Sequence, residues 1–104
     1  MEFEIDTKAA DDNLNRIGNW MMIRCEGTWG DSISAKRISE DTVDIITLTV
    51  SPVNENQGRG TALVQKVFDE LPSDVKQVVI RKNDNPGWWS HIQSRIRGRA
   101  NLVL

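Results

Sequence analysis

The apolar stretch Leu48-Thr49-Val50-Ser51-Pro52 is followed within a few residues by Gln57-Gly58-Arg59-Gly60-Thr61-Ala62-Leu63, a glycine-bearing turn that opens an amphipathic segment. A strand delivered through such a turn into the first turn of a helix constrains this chain more than any other feature. Two glycines let backbone amides approach a ligand with no side chain in the way. The helix start adds unpaired N–H donors and the positive end of its dipole. The succession predicts a site for a pyrophosphate-like anion.

Downstream, Leu63, Val64, Val67, Phe68 and Leu71 recur at helical spacing until Pro72, which cannot continue a helix. Residues 75–81 read as a buried strand, so strand, helix and strand form a parallel unit whose crossover is expected to be right-handed. In Asn83-Asp84-Asn85-Pro86, Asn85 suits a helix cap and Pro86 the first turn. Trp88, Ile92 and Ile96 share a stripe that Trp89 extends. That stripe predicts a helix over 86–97 with Trp88 in the core and Gly98 as the C-cap. Residues 100–104 suit one more strand.

Upstream, Phe3 and Ile5 alternate with Glu2 and Glu4 as a short edge strand does. Ala10, Leu14 and Ile17 then fit a helix capped by Asp6 or Thr7 and ended by Gly18. Residues 20–26 predict a strand with Met21, Ile23 and Cys25 on one face. Residues 32–39 and 42–51 predict an antiparallel hairpin turning at Glu40 and Asp41. In its second arm the apolar phase slips: Val43 and Ile45 share one face, but Ile46, Leu48 and Val50 share the other. Burial of both faces is the favoured explanation, and a β-bulge is the alternative.

At 104 residues, 38% of them hydrophobic and 27% charged, the chain is expected to be one folded domain rather than disordered. The start Met1-Glu2-Phe3-Glu4-Ile5-Asp6 has no basic leader region, and no apolar run approaches a membrane span, so a cytoplasmic location with no membrane partner is expected. Cys25, the single cysteine, suits a reducing compartment and reads as a buried bystander. No cluster has metal-ligand spacing, so no metal is expected. Thr61 stands where a Walker motif needs lysine, which argues against a P-loop hydrolase. Charge is divided unevenly: residues 1–55 hold eleven acids and five bases, and residues 56–104 hold eight bases and four acids. The basic half is the half with the glycine turn.

Together these residues resemble the GCN5-related N-acetyltransferase family over about residues 42–97. Leu48-x-Val50-x-Pro52 is similar to the end of that family's fourth strand, and Gln57 to Ala62 satisfies its Q/R-x-x-G-x-G/A pyrophosphate pattern. The resemblance implies an α+β fold: a mixed central sheet with antiparallel N-terminal strands and one parallel βαβ unit, flanked by helices. It implies acetyl-CoA as acyl donor. Backbone groups of Leu48 and Val50 would meet the pantetheine arm, and amides from Gly58, Arg59, Gly60, Thr61 and Ala62 the pyrophosphate. Gln57 would brace the loop, and Asn83 would meet pantetheine. The helix over 86–97 would lie alongside the thiol end.

The chain departs from the family in having no tyrosine, the residue that commonly protonates the departing thiolate. The equivalent position falls near Trp89, Ser90 or His91, of which Ser90 and His91 are able to move a proton. Asp44 and Glu26 are the candidate bases, each with the plainer reading of a solvated surface acid. His91 has the plainer reading of an exposed helix residue. The acceptor is expected to be an amine, with a protein acceptor open because the N-terminal helical region is short. Two alternatives stand beside the enzyme: an inactive binding module of the same fold, and a nucleic-acid binder using Arg81, Lys82, Arg95, Arg97 and Arg99. A pI near 5.3 weighs against the second, and the same arginines would alternatively serve the 3′-phosphate of coenzyme A. Leu102-Val103-Leu104 offers an edge that a second copy can pair with, so a homodimer is open.

Overall fold

A computed structural model describes residues 3–7, 14–25, 31–50, 58–81 and 83–104, with backbone alone for 3–7 and Cys25. Along the chain come β1 (Phe3–Thr7), β2 (Trp20–Cys25), β3 (Ser32–Arg37), β4 (Thr42–Thr49), α1 (Arg59–Asp69), β5 (Gln77–Ile80), α2 (Pro86–Gln93) and β6 (Asn101–Val103). The six strands form one sheet in the order β1-β2-β3-β4-β5-β6. Pairing is antiparallel from β1 to β4 and parallel from β4 to β6. The α+β class with a mixed sheet is therefore as expected, but β6 adds a second parallel βαβ unit to the one anticipated.

Register explains the core. Met21 pairs with Ala35, Ile23 with Ile33, Val43 with Val78 and Val78 with Leu102, so these side chains share one face, and all are buried. Leu63, Val64, Val67 and Phe68 of α1 and Trp89 and Ile92 of α2 belong to the same core cluster. Both crossovers step the same way across the sheet, and right-handed connections then put both helices on one face. Gly60 of α1 lies against Trp88 of α2, and Gly98, beyond α2, lies against Phe68 of α1.

The phase slip in β4 has a structural answer. Ser34 pairs with Thr47, but Ala35 pairs with Ile45, which leaves Ile46 without an opposing residue. This bulge flips the alternation, so Val43, Ile45 and Leu48 all face the helices, Leu48 opposite Ile33. Burial on both faces, the favoured expectation, holds only for the first half of β4, where Thr42 and Asp44 are also buried.

Three further expectations change. The predicted helix through Ala10, Leu14 and Ile17 lies in part outside the described residues, and residues 14–18 form turns instead of helix. Gly18, at φ +92°, donates its N–H to the Arg37 carbonyl at 2.8 Å. α2 stops at Gln93, not at 97. The backbone of Arg97 is engaged elsewhere: its N–H donates to Gln65 Oε1 at 2.9 Å and its carbonyl accepts from Gln65 Nε2 at 2.8 Å. Gly98 is not the helix cap. It lies under Phe68, where an added Cβ would be 3.2 Å from the ring. The Cys25 side chain and Glu26 lie outside the described set. Among the described residues no helix is long and apolar enough to cross a membrane.

Candidate functional site

β4 and β5 pair only from Thr42–Gln77 to Ile45–Ile80. The backbone bond closing that pairing runs from the Arg81 N–H to the Ile45 carbonyl at 3.0 Å. β4 continues beyond it to Thr49 while β5 has ended. Among the described residues, no strand lies against Ile46–Thr49 on that side. A cleft of about 740 Å³ opens there. One wall is the end of β4, from Ile45 to Leu48 with Val50, and another is the start of α1, Gly58 to Thr61. Asp84, Asn85 and the α2 residues Trp88, Trp89 and His91, with Arg95 just beyond the helix, close it.

The start of α1 faces this cleft with its backbone available. Gly58 is the N-cap at φ +75°, with no side-chain cap and no acidic residue in the first turn. The amides of Arg59, Gly60 and Thr61 fall where an α-helix supplies no carbonyl acceptor. Ala62 differs from its expected part, since its N–H already donates to the Gly58 carbonyl at 2.9 Å. The two glycines also divide the work. Gly58 adopts the left-handed conformation that starts the turn. Gly60 instead makes room for packing, because a Cβ there would sit 2.9 Å from Trp88 Cζ2 and 3.6 Å from Val50 Cγ2.

Two arginines, Arg59 and Arg95, border the cleft. Arg59 is held back toward β3, its Nε 3.8 Å from the Asp31 carboxylate, which is fully buried. Arg59 Nε has no hydrogen-bond partner. Arg95 and His91 are exposed on the opposite wall, and Asp84 is the one acid among the described lining residues. Among the described residues no group of His, Cys, Asp or Glu is arranged to hold a metal ion.

Leu48, Val50, Gly58, Arg59, Gly60, Thr61 and His91 therefore come together at one cleft. Gln57 lies outside the described residues. Asn83 is exposed and off the wall, where Asp84 and Asn85 stand instead. Asn85 caps α2, its Oδ1 accepting from the Trp88 N–H at 3.3 Å. Ser90 is exposed and also off the wall. Residues 88 and 91 share a helical face, and 90 does not. Asp44 is not a solvated acid. It is 5% exposed, and its Oδ2 accepts from Arg81 Nε at 2.9 Å, away from the cleft-lining set.

Trp88, expected in the core, packs against it but is half-buried on the cleft wall, and Trp89 is the more buried of the two at 5% exposure. Their rings meet edge to face, with centroids 4.8 Å apart. Of the arginines offered for the 3′-phosphate of coenzyme A, Arg95 is on the cleft wall, and Arg81, Arg97 and Arg99 are not. No family model, curated protein or solved structure matches this chain.

Proposed function

We propose that this chain is a small N-acetyltransferase of the GCN5-related type, binding acetyl-CoA in the cleft between β4 and β5 and passing the acetyl group to an amine. One observation carries the reading: two parallel strands part beside a bulge at Ile46, and the resulting cleft ends at an uncapped helix start. Backbone polar groups freed where strands separate need new partners, and a pantetheine arm, with its two amides, is such a partner for Ile46–Val50. The amides of Arg59, Gly60 and Thr61 suit the pyrophosphate. Arg95 suits the additional phosphate of coenzyme A.

Bound acetyl-CoA supplies a thioester whose carbonyl carbon bonds to the amine nitrogen as the C–S bond breaks. The proton lost by nitrogen balances the one gained by the departing sulfur. His91 is our candidate to carry it, being a side chain on the cleft wall that can both donate and accept a proton. Ser90 and Asp44 are not carried forward in that role. The nucleic-acid alternative loses support, because Arg95 lines the cleft while Arg81 pairs with Asp44 and lines a different hollow. They form no shared phosphate track.

Tryptophan emission tests the reading, since Trp88 and Trp89 form part of the wall. Adding acetyl-CoA is expected to change that emission saturably, and mass spectrometry of an amine mixture is expected to show products heavier by one acetyl group. Binding without transfer would leave a coenzyme-A-binding module. No saturable change and no product would overturn the proposal.

A further inference from the structure

Residues 94–99, which follow α2, are fixed to the body of the protein along their length. The N–H groups of Arg95 and Ile96 both donate to the carbonyl of Ile92, at 2.8 and 3.0 Å, and Ile92 is fully buried. Gly98 lies against Phe68 of α1. Between these anchors, Gln65 of α1 grips the backbone of Arg97 from both sides. Its Oε1 accepts from the Arg97 N–H at 2.9 Å, and its Nε2 donates to the Arg97 carbonyl at 2.8 Å. The same Nε2 donates to Asp69 Oδ1 at 2.9 Å. A flipped amide would turn Oε1 toward two acceptors, so the Asp69 carboxylate fixes the orientation in which both Arg97 bonds form.

We propose that Gln65 is a positioning residue for coenzyme A: by holding the Arg97 backbone it sets Arg95 against the 3′-phosphate, and so makes the site prefer coenzyme A to its 3′-dephospho form. The inference rests on the acetyl-CoA reading above. Helix geometry supplies the placement. Thr61 and Gln65 stand four residues apart on α1 and are neighbours on one face, and Thr61 lines the cleft at the helix start. Arg95 lines the same cleft and is two residues from the clamp, a span of at most about 7 Å. The clamp, one turn along α1 from the pyrophosphate amides, therefore places Arg95 beside them.

The need for a clamp follows from exposure. An exposed guanidinium on a mobile backbone gains little from a single phosphate, because ordering it costs conformational entropy. Arg95 is exposed, and the Gln65 clamp orders its backbone before the ligand arrives. Arg59, the other cleft arginine, is held back toward Asp31. Arg97 and Arg99 lie off the cleft wall. The extra phosphate is thus left to Arg95.

Calorimetric titration with coenzyme A and with 3′-dephospho-coenzyme A tests this. The wild type is expected to bind coenzyme A about tenfold more tightly than the dephospho form. Gln65→Met keeps the length of the side chain and removes both Arg97 bonds. It is expected to bring the ratio of the two affinities to about twofold or less, and Arg95→Gln to do the same. Combined, the two substitutions are expected to lower the ratio no further than either alone, because both act through one guanidinium. A role of Gln65 in the fold alone would weaken both ligands together and keep the ratio. An unchanged ratio in either single variant, a wild-type ratio near one, or additive losses in the double variant would overturn the positioning role and leave the acetyl-CoA reading standing. If the wild type binds neither ligand, both fall.

Discussion

Arg37 is 3% exposed, yet its guanidinium is matched on every side. It donates to the carbonyls of Leu14 at 3.1 Å, Asn15 at 2.9 Å, Ser39 at 3.1 Å and Glu40, and to Asp74 Oδ2 at 2.7 Å. One side chain thereby ties the turn before β2, the β3–β4 hairpin and the segment before β5. Arg37→Ala leaves several of these carbonyls unmatched and is expected to destabilise the fold by about 2–4 kcal/mol, read by chemical denaturation. The Arg37 bond holds the Asp74 carboxyl below the ordinary aspartate value of 3.8. A depressed folded-state pKa contributes stability that is fully present above that ordinary value and is lost as pH falls through the lower folded value. Asp74→Asn is accordingly expected to flatten the loss of stability below about pH 4. A thermal-melt series from pH 2 to 7 checks it, and an unchanged acid limb would contradict it. None of this was legible beforehand, because the sequence shows an arginine in a strand and not the three acceptors, on Leu14, Asn15 and Asp74, that distant segments bring to it.

At the scale of elements, local chemistry spoke plainly wherever one segment decides its own form. Pro86 behind Asn85, Pro72 after Leu71, and glycine at the opening of α1 each marked a helix limit to within a few residues. The failures came where a distant segment intervened. Gln65 takes up the backbone of Arg97, so α2 ends a turn early, and Trp88 fills the space beside Gly60. The bulge at Ile46 was legible as a slip in the apolar pattern, but only the partner register shows which explanation applies where. Thr61 offers a test in which two effects run opposite ways. An aspartate in the first turn of α1 interacts favourably with the helix dipole, so Thr61→Asp is expected to stabilise the protein by about 0.3–1 kcal/mol. The same charge faces the cleft and repels phosphate, so coenzyme A affinity is expected to fall about tenfold or more. A thermal melt and a titration on one variant check both. Parallel losses would mean that the helix start serves the fold alone.

Over the whole molecule, the arrangement of strands matters more than any one side chain. Two same-handed crossovers gather both helices on one face, and the other face carries its own hollow behind the bulge. β4 outlasts its pairing with β5, and Ile46 there borders a hollow on each side. The glycine turn and its flanking strand and helix were enough to anticipate the cleft. The hollow bordered by Trp20, Met22, Lys36, Ile46 and Arg81 was not anticipated, because three strands and a residue beyond β5 assemble it. The acetyl-CoA site is the central claim, and an NMR titration of isotope-labelled protein with coenzyme A tests it most directly, with calorimetry supplying the affinity. The predicted result is saturable binding, with the largest backbone amide shifts at Ile46–Val50 and Arg59–Thr61 and smaller ones on β2. No binding, or shifts clustered away from the β4–β5 cleft, would contradict it.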